Sequence, residues 1–435
     1  MKKLLTHITL CATLALPMLS IAEESTARLG VAAAKRGFTS QEAYDLGQQF
    51  SMASFVQTAD PAVYAYLNLN NSMLHATIPR AGQVSELDTS IDASVLDFVA
   101  SKGDVKRSLR QLLDPNNNTG QAALIIHKGK IIAESYTGMR EYDNHVWMSN
   151  AKVVAGLLIA MLEEEGKIDV EQSVSTYWPA MKGTAWDSVR VIDALNMSSG
   201  LDLLETPKLR VDPNSGINRF YMAEVYGKGL DGSIQTHDQQ LAAAKSLRPA
   251  GEVFEYSSAV TQALGRVIEE VENRPLADII SQRIWQHMGA EGDGQLALSP
   301  HGNGIVHGLI SSRLRDMGRF ALLFTPSAAV VSDTNVVTPA ILEKIRSRAN
   351  TPDYMGATSG PQFSALIGEQ PSHNSYQWDA IFSDGDMYKA GMNGQGIYIS
   401  PSRDLVIVYF STGFGDMPIA TWARQFAKTV PLLGH

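Results

Sequence analysis

Two β-hairpin patterns sit near opposite ends of this sequence, and a long helical stretch separates them. Ala122-Ala-Leu-Ile-Ile-His127, a Lys128-Gly129 turn and Lys130-Ile-Ile-Ala-Glu-Ser-Tyr136 form the first. Gly396-Ile-Tyr-Ile-Ser400, a turn at 401–404 and Leu405-Val-Ile-Val-Tyr-Phe-Ser411 form the second, with a helical pattern from about 419 to 430 after it. From 148 to about 288 helical patterns dominate, broken by loops at 198–200 and 231–232. Strands at both ends and helices between predict an α+β fold. One antiparallel sheet, flanked by helices, forms from the two chain ends, and a mostly helical domain is inserted into it. The expected domain covers 116–435, with 116–147 and 300–435 as its α/β part and 148–299 as its mainly helical part. Residues 23–115 read as a mostly helical N-terminal extension. There Thr39 and Glu42 form a capping box for a helix through about Phe55, and no chemistry is visible.

Residues 1–22 read as a signal peptide: two lysines, an apolar run, and Ser20-Ile-Ala22 as the cleavage pattern. The single cysteine, Cys11, falls inside it. The mature chain therefore has no disulfide, no thiol nucleophile and no Cys-ligated metal. The address it predicts is periplasmic or secreted, in a bacterium, with no stable membrane span after signal removal. A hydrophobic share of 44% and a charged share of 19% fit a globular chain and exclude a coiled coil or a disordered one. A net charge of −9 argues against a nucleic-acid partner.

The sequence has no H-E-x-x-H, paired C-x-x-C, P-loop or G-x-S-x-G. It has one S-x-x-K, Ser149-Asn-Ala-Lys152. The run that follows is apolar at nearly every position up to Leu162, so its helix is expected to be buried all round. Lys152 then heads a core helix, on the same face as Ser149. Burial lowers a lysine's pKa and makes it a base. A serine N-cap with a lysine reaching for solvent fits the same four residues.

Two further segments bear on that choice. Gly251-Glu-Val-Phe-Glu-Tyr256-Ser257-Ser258 sets a tyrosine in a turn just before a helix starting near Ala259. Lys389-Ala390-Gly391-Met392-Asn393-Gly394-Gln395-Gly396 leads into the final hairpin, with glycines that let a backbone approach a ligand. Read alone, the first is ordinary packing and the second a glycine-rich strand edge. His145, His307 and His373 invite a base role, but a Ser–Lys–Tyr set leaves them none. Trp186, Trp378 and Phe382 read as packing more than as pocket wall, and Asp384 and Asp386 as a solvated loop.

In order, the three segments resemble the serine β-lactamase and penicillin-binding-protein superfamily, in particular class C β-lactamases, DD-peptidases and related esterases. The family's S-x-x-K, Y-x-N and K-T-G boxes find counterparts in Ser149–Lys152, Tyr256-Ser257-Ser258 and Lys389-Ala390-Gly391. The likeness covers roughly 115–435. Ser258 stands where the family has Asn, and Ala390 where it has Thr. Those departures, with the stretch around 142–148, resemble the branch of 6-aminohexanoate-dimer hydrolases and carboxylesterases.

The resemblance implies an ester or small-amide substrate and no cofactor or metal. Ser149 would be the nucleophile, Lys152 the base, and Tyr256 a proton relay acidified by nearby ammonium groups. The backbone N–H groups of Ser149 and Met392 would form the oxyanion hole. Ser258, Lys389 and Gly391 would contact substrate, Lys389 steadying Tyr256 or a substrate carboxylate. Alternatives are a β-lactamase or DD-peptidase, and a non-catalytic peptidoglycan-binding protein on the same scaffold. The substrate, the oligomeric state and the role of 23–115 carry no readable signal.

Overall fold

In the structure, a computed structural model that describes residues 29–433 except 58, 117 and 350, the two hairpin patterns join edge to edge. The signal-peptide reading, with Cys11, lies outside the described residues. In chain order the strands are β1 (His75–Ile78), β2 (Val99–Lys102), β3 (Val105–Ser108), β4 (Gly120–His127), β5 (Lys130–Tyr136), β6 (His145–Val146) and β7 (Gly294–Ala297). They continue as β8 (Ile310–Ser312), β9 (His373–Ser375), β10 (Trp378–Ile381), β11 (Met387–Ala390), β12 (Gly396–Ser400) and β13 (Leu405–Ser411). A seven-stranded antiparallel sheet has the order β5-β4-β13-β12-β11-β10-β9. Its central seam pairs β13 with β4, from Leu405 opposite His127 to Ser411 opposite Gly120.

Both faces of this sheet are covered, which is why its strands read as continuous apolar runs. Leu124, Ile126, Val406 and Val408 enter the larger core, while Ala123, Ile125, Leu405 and Ile407 enter the other. The Leu314–Leu322 helix lies on the first face, where Gly318 sits against Leu124. The Ile419–Ala427 helix closes the second face with Trp422, Ala423 and Phe426. The architecture is α+β, with antiparallel sheets flanked by helices. Between the two hairpins the chain packs around the Lys152–Glu164 helix, which is buried from Lys152 through Ala160 and lies on the Ser258–Glu272 helix. Among the described residues no helix is long and apolar enough to cross a membrane.

The N-terminal segment differs from the expected helical extension. The capping box on Thr39 is present, but its helix is Ser40–Gly47, and Ser51 caps a separate short helix, Met52–Phe55. The segment also contributes three strands. β1 pairs with β7, completing a four-stranded sheet ordered β1-β7-β8-β6. β2 and β3 form a hairpin that packs against the Ile419–Ala427 helix, with Ser101 and Gln425 exchanging hydrogen bonds of 3.0 and 2.7 Å. Residues 29–115 are thus built both into the four-stranded sheet and against the Ile419–Ala427 helix.

Candidate active site

Met148–Ala151 is a tight 3-10 turn that runs directly into the Lys152–Glu164 helix. Met148 has φ +49°, a left-handed conformation that a side chain makes costly, so the turn is held by its surroundings. The Trp147 amide donates to the Ile310 carbonyl (2.8 Å), the Trp147 indole to Ser312 Oγ (2.8 Å), and the Asn150 amide side chain to the Trp147 carbonyl (2.9 Å). Ser149, next after the strained residue, lies on the wall of a cavity.

Lys152 is wholly buried, and its ammonium has three acceptors: Ser149 Oγ (3.0 Å), Ser258 Oγ (3.0 Å) and the His307 carbonyl (2.6 Å). Burial and the nearby Lys389 charge draw its pKa down to about 7, against the pull of Glu205 and Asp379. A lysine poised there is partly neutral at neutral pH and can accept the Ser149 proton across 3.0 Å. The snorkelling alternative is excluded, since no part of the side chain reaches solvent.

Ser258 opens the Ser258–Glu272 helix and relays the lysine to a carboxylate. Its hydroxyl donates to Glu205 Oε2 (2.7 Å), and its backbone amide donates to the same oxygen (3.0 Å). Glu205 Oε1 accepts from Arg210 Nε (2.8 Å) and the Tyr221 hydroxyl (2.7 Å). Burial pushes the Glu205 carboxyl up, but Arg210, Lys152 and these hydroxyls outweigh it and hold it at about 2. Ser258 therefore spends its hydroxyl on orienting Lys152.

Tyr256 lies in the turn before that helix, with its amide on Ser359 Oγ (2.9 Å) and its carbonyl accepting from the Glu205 amide (2.8 Å). Lys152 Nζ is 5.0 Å and Lys389 Nζ 4.8 Å from the centre of its ring. The expected acidification of the phenol is not found. Burial, then the Asp379 and Glu205 carboxylates, push it well above its ordinary pKa, and a hydrogen bond with Ser149 only partly opposes them. The reason is that each ammonium comes with its own carboxylate. Lys389 is wholly buried, its Nζ 2.5 Å from Asp379 Oδ1, while Asp379 Oδ2 takes the Ala390 amide (2.9 Å). Burial lowers the Lys389 pKa and raises that of Asp379, and their mutual attraction opposes both shifts. Tyr256 is thus a protonated phenol, a donor at rest. Lys389 is engaged by Asp379 and has no exposed surface.

The turn between β11 and β12 passes beside Ser149. A Cβ on Gly391 would lie 2.7 Å from Gln395 Oε1 and 2.9 Å from Asn150 Nδ2, so only glycine fits there. Met392 then reaches the same cavity wall as Ser149. Asn393, at φ +62°, donates to the Tyr66 hydroxyl (2.7 Å) and the Val56 carbonyl (3.1 Å), tying this turn to the N-terminal segment.

The cavity at Ser149 has a volume of about 370 Å³. Ser258, Glu205, Arg210 and Met392 share its wall with side chains from the N-terminal segment, among them Met52, Phe55 and Met73. Sequence reasoning saw no chemistry in that segment. It also missed Glu205 and Asp379. A buried lysine needs a partner, so Lys389 on an apolar strand was a signal to search the adjoining strand, where Asp379 sits.

Other singled-out residues are structural. His145 is buried, stacked on Phe410 with ring centres 4.3 Å apart, and burial lowers its pKa to about 3. The ring of His373 bonds the Arg346 carbonyl (2.9 Å). His307 pairs with Glu224 (2.8 Å) on the cavity wall while its carbonyl holds Lys152. Trp186 and Trp378 are core residues, and Phe382 lies under the Arg424 guanidinium (4.0 Å). Asp386 is not solvated as expected: it is buried and paired with Arg403 (3.1 Å) and Arg424 (3.0 Å). Asp384 shares both arginines. Among the described residues no group of three or more His, Asp or Glu could hold a metal ion.

Comparison with known proteins bears on the family and the fold. Residues 105–428 match the Beta-lactamase family model. The chain is 26% identical over 292 residues to the 6-aminohexanoate-dimer hydrolase of Paenarthrobacter ureafaciens, covering 67% of this chain and 72% of that one. Its fold superposes with a TM-score of 0.70 on a Bacillus anthracis protein assigned as a 6-aminohexanoate-dimer hydrolase, at 23% identity over 88% of this chain and 98% of the other. It also resembles EstCE1, a hydrolase with promiscuous acyltransferase activity (TM-score 0.52, 15% identity, 72% and 93% coverage). The match spans most of the chain, from the first hairpin to the last helix, and so the chain belongs to the beta-lactamase family of hydrolases.

Proposed function

We propose that this protein is an exported serine hydrolase that cleaves an ester or small amide through an acyl-enzyme on Ser149. The observation that carries the reading is the 3.0 Å contact between Ser149 Oγ and a wholly buried Lys152 whose pKa is drawn to about 7. Ser149 Oγ attacks the carbonyl carbon, and Lys152 takes its proton. Negative charge on the carbonyl oxygen is met by the backbone N–H groups of Ser149 and Met392. Tyr256, a protonated phenol, gives its proton to the leaving oxygen or nitrogen. The proton held by Lys152 replaces it, so acylation is one net transfer from serine to leaving group. Water then attacks the acyl carbon, the Lys152–Tyr256 pair takes its proton, and Ser149 Oγ regains one.

Ester or small-amide cleavage is favoured over β-lactam or peptidoglycan chemistry by the strand facing the site. Lys389 is buried on Asp379, and Ala390 offers no hydroxyl to a substrate carboxylate. A signal peptide at 1–22 would place the enzyme in the periplasm or outside the cell.

Steady-state hydrolysis of p-nitrophenyl acetate, a small anilide and a chromogenic cephalosporin tests the reading. Turnover of the ester or anilide, lost in Ser149→Ala, is expected. Efficient turnover of the cephalosporin alone would replace it with a β-lactamase, and equal turnover by Ser149→Ala would end the mechanism.

A further inference from the structure

We propose that the cavity beside Ser149 receives the acyl chain of the substrate, and that this chain is an uncharged hydrocarbon. The inference rests on the acyl-enzyme reading and names its substrate class.

The first argument is one of sides. The leaving group must face the acid, Tyr256, whose ring packs on Phe363 (5.7 Å between ring centres). Among the described residues, Tyr256 does not line the cavity, whereas Ser149 and Met392 do. The group that stays on Ser149 is the one turned toward it.

The second argument is one of charge. The ionic groups on the wall are already engaged: Glu205 with Arg210, Tyr221 and Ser258, and Glu224 with His307. A charged terminus on the chain would have to compete with these pairs for its counter-charge, whereas an alkyl chain meets a mostly apolar wall.

The third is the nature of the wall. Five methionines line it: Met52, Met73, Met148, Met222 and Met392. Thioether side chains are apolar and conformationally adaptable, which suits a flexible alkyl chain. The volume of about 370 Å³ lies within the range of small-molecule sites. Met52, Ala53, Phe55, Val56 and Met73 come from the segment that precedes the family-matched residues, so this chain supplies part of its own specificity wall.

The test is kcat/KM of the full mature chain for two ester series. One holds p-nitrophenol constant and lengthens the acyl group from acetate to decanoate. The other holds the acetyl group constant and lengthens the alcohol from methyl to octyl. The acyl series is expected to rise about fourfold per methylene until the cavity is filled, and the alcohol series to stay nearly flat. Ala53→Trp places an indole at the cavity rim from an exposed helix position and is expected to lower the decanoate-to-acetate ratio by about tenfold. Met222→Trp, from the Gly216–Tyr226 helix, checks the same ratio should the first variant fold poorly. An ω-amino ester is expected to react at least about tenfold more slowly than its uncharged analogue.

A flat acyl profile, a rise in the alcohol series instead, or preference for the ω-amino ester would overturn the assignment. If Ser149→Ala loses acetate turnover while the acyl profile is flat, only the chain assignment falls. If Ser149→Ala keeps its turnover, the acyl-enzyme reading falls with it.

Discussion

Whether Lys152 carries a charge is decided by opposing neighbours, and this sets the pH dependence of the reaction. Burial and Lys389 favour the neutral amine, while Glu205 and Asp379 favour the ammonium. The base must be neutral, so kcat/KM is expected to rise with pH through about 7 and then level. Glu205→Gln removes a charge that stabilises the ammonium; the Lys152 pKa then falls, and the acid limb of the profile moves to lower pH. A limb that stays in place would remove Glu205 from the electrostatics of the base. Tyr256→Phe is expected to lower turnover by about 10²–10⁴-fold, measured on an unactivated ester whose leaving group needs a proton. Near-normal turnover would take Tyr256 out of the scheme. At this scale the S-x-x-K and the position of Tyr256 were legible because they follow one another closely along the chain or sit at a helix start. Glu205 was not, because its partner Ser258 meets it only through tertiary packing, and Asp379 was not, because its pairing with Lys389 depends on the register of two neighbouring strands. The direction of the Tyr256 shift was misread for the same reason: the ammonium groups were visible in sequence and the carboxylates that offset them were not.

At the scale of elements, the long apolar segments were legible and the short amphipathic ones were not. The β4–β5 and β12–β13 hairpins follow their turn residues and β-branched runs, and the Lys152–Glu164 helix follows its unbroken apolar stretch. β1 has only Ile78 buried among its four residues, too weak an alternation to announce a strand, and its pairing with β7 depends on residues more than two hundred positions away. The Lys152–Glu164 helix also depends on one small residue. A Cβ on Gly156 would overlap the Tyr376 carbonyl oxygen, so the helix approaches that backbone as closely as it does only with glycine. Gly156→Ala is expected to cost about 1–3 kcal/mol in denaturant unfolding and to reduce turnover with it, because the helix that shifts carries Lys152. An unchanged unfolding midpoint would show that the approach has slack.

For the whole molecule, the seam between the N-terminal segment and the β11–β12 turn is the feature that sequence reading placed least well. Asn393 joins them through Tyr66 and the Val56 carbonyl, and the segment walls the cavity from which Ser149 is reached. Asn393→Gly keeps the left-handed backbone and deletes those bonds. It is expected to lower stability by about 1–3 kcal/mol within a single unfolding transition, since segment and domain share a buried cluster that includes Tyr66, Val146 and Ile305. Two separated transitions in calorimetry would mean that the segment is an independent unit. The central claim remains the activated serine, and the intact mass of the purified protein after a fluorophosphonate probe tests it most directly, beside Ser149→Ala. One adduct on the wild-type chain, absent from the variant, is the result expected of an accessible Ser149 deprotonated by Lys152. No adduct on folded protein, or an adduct that survives Ser149→Ala, would contradict the account.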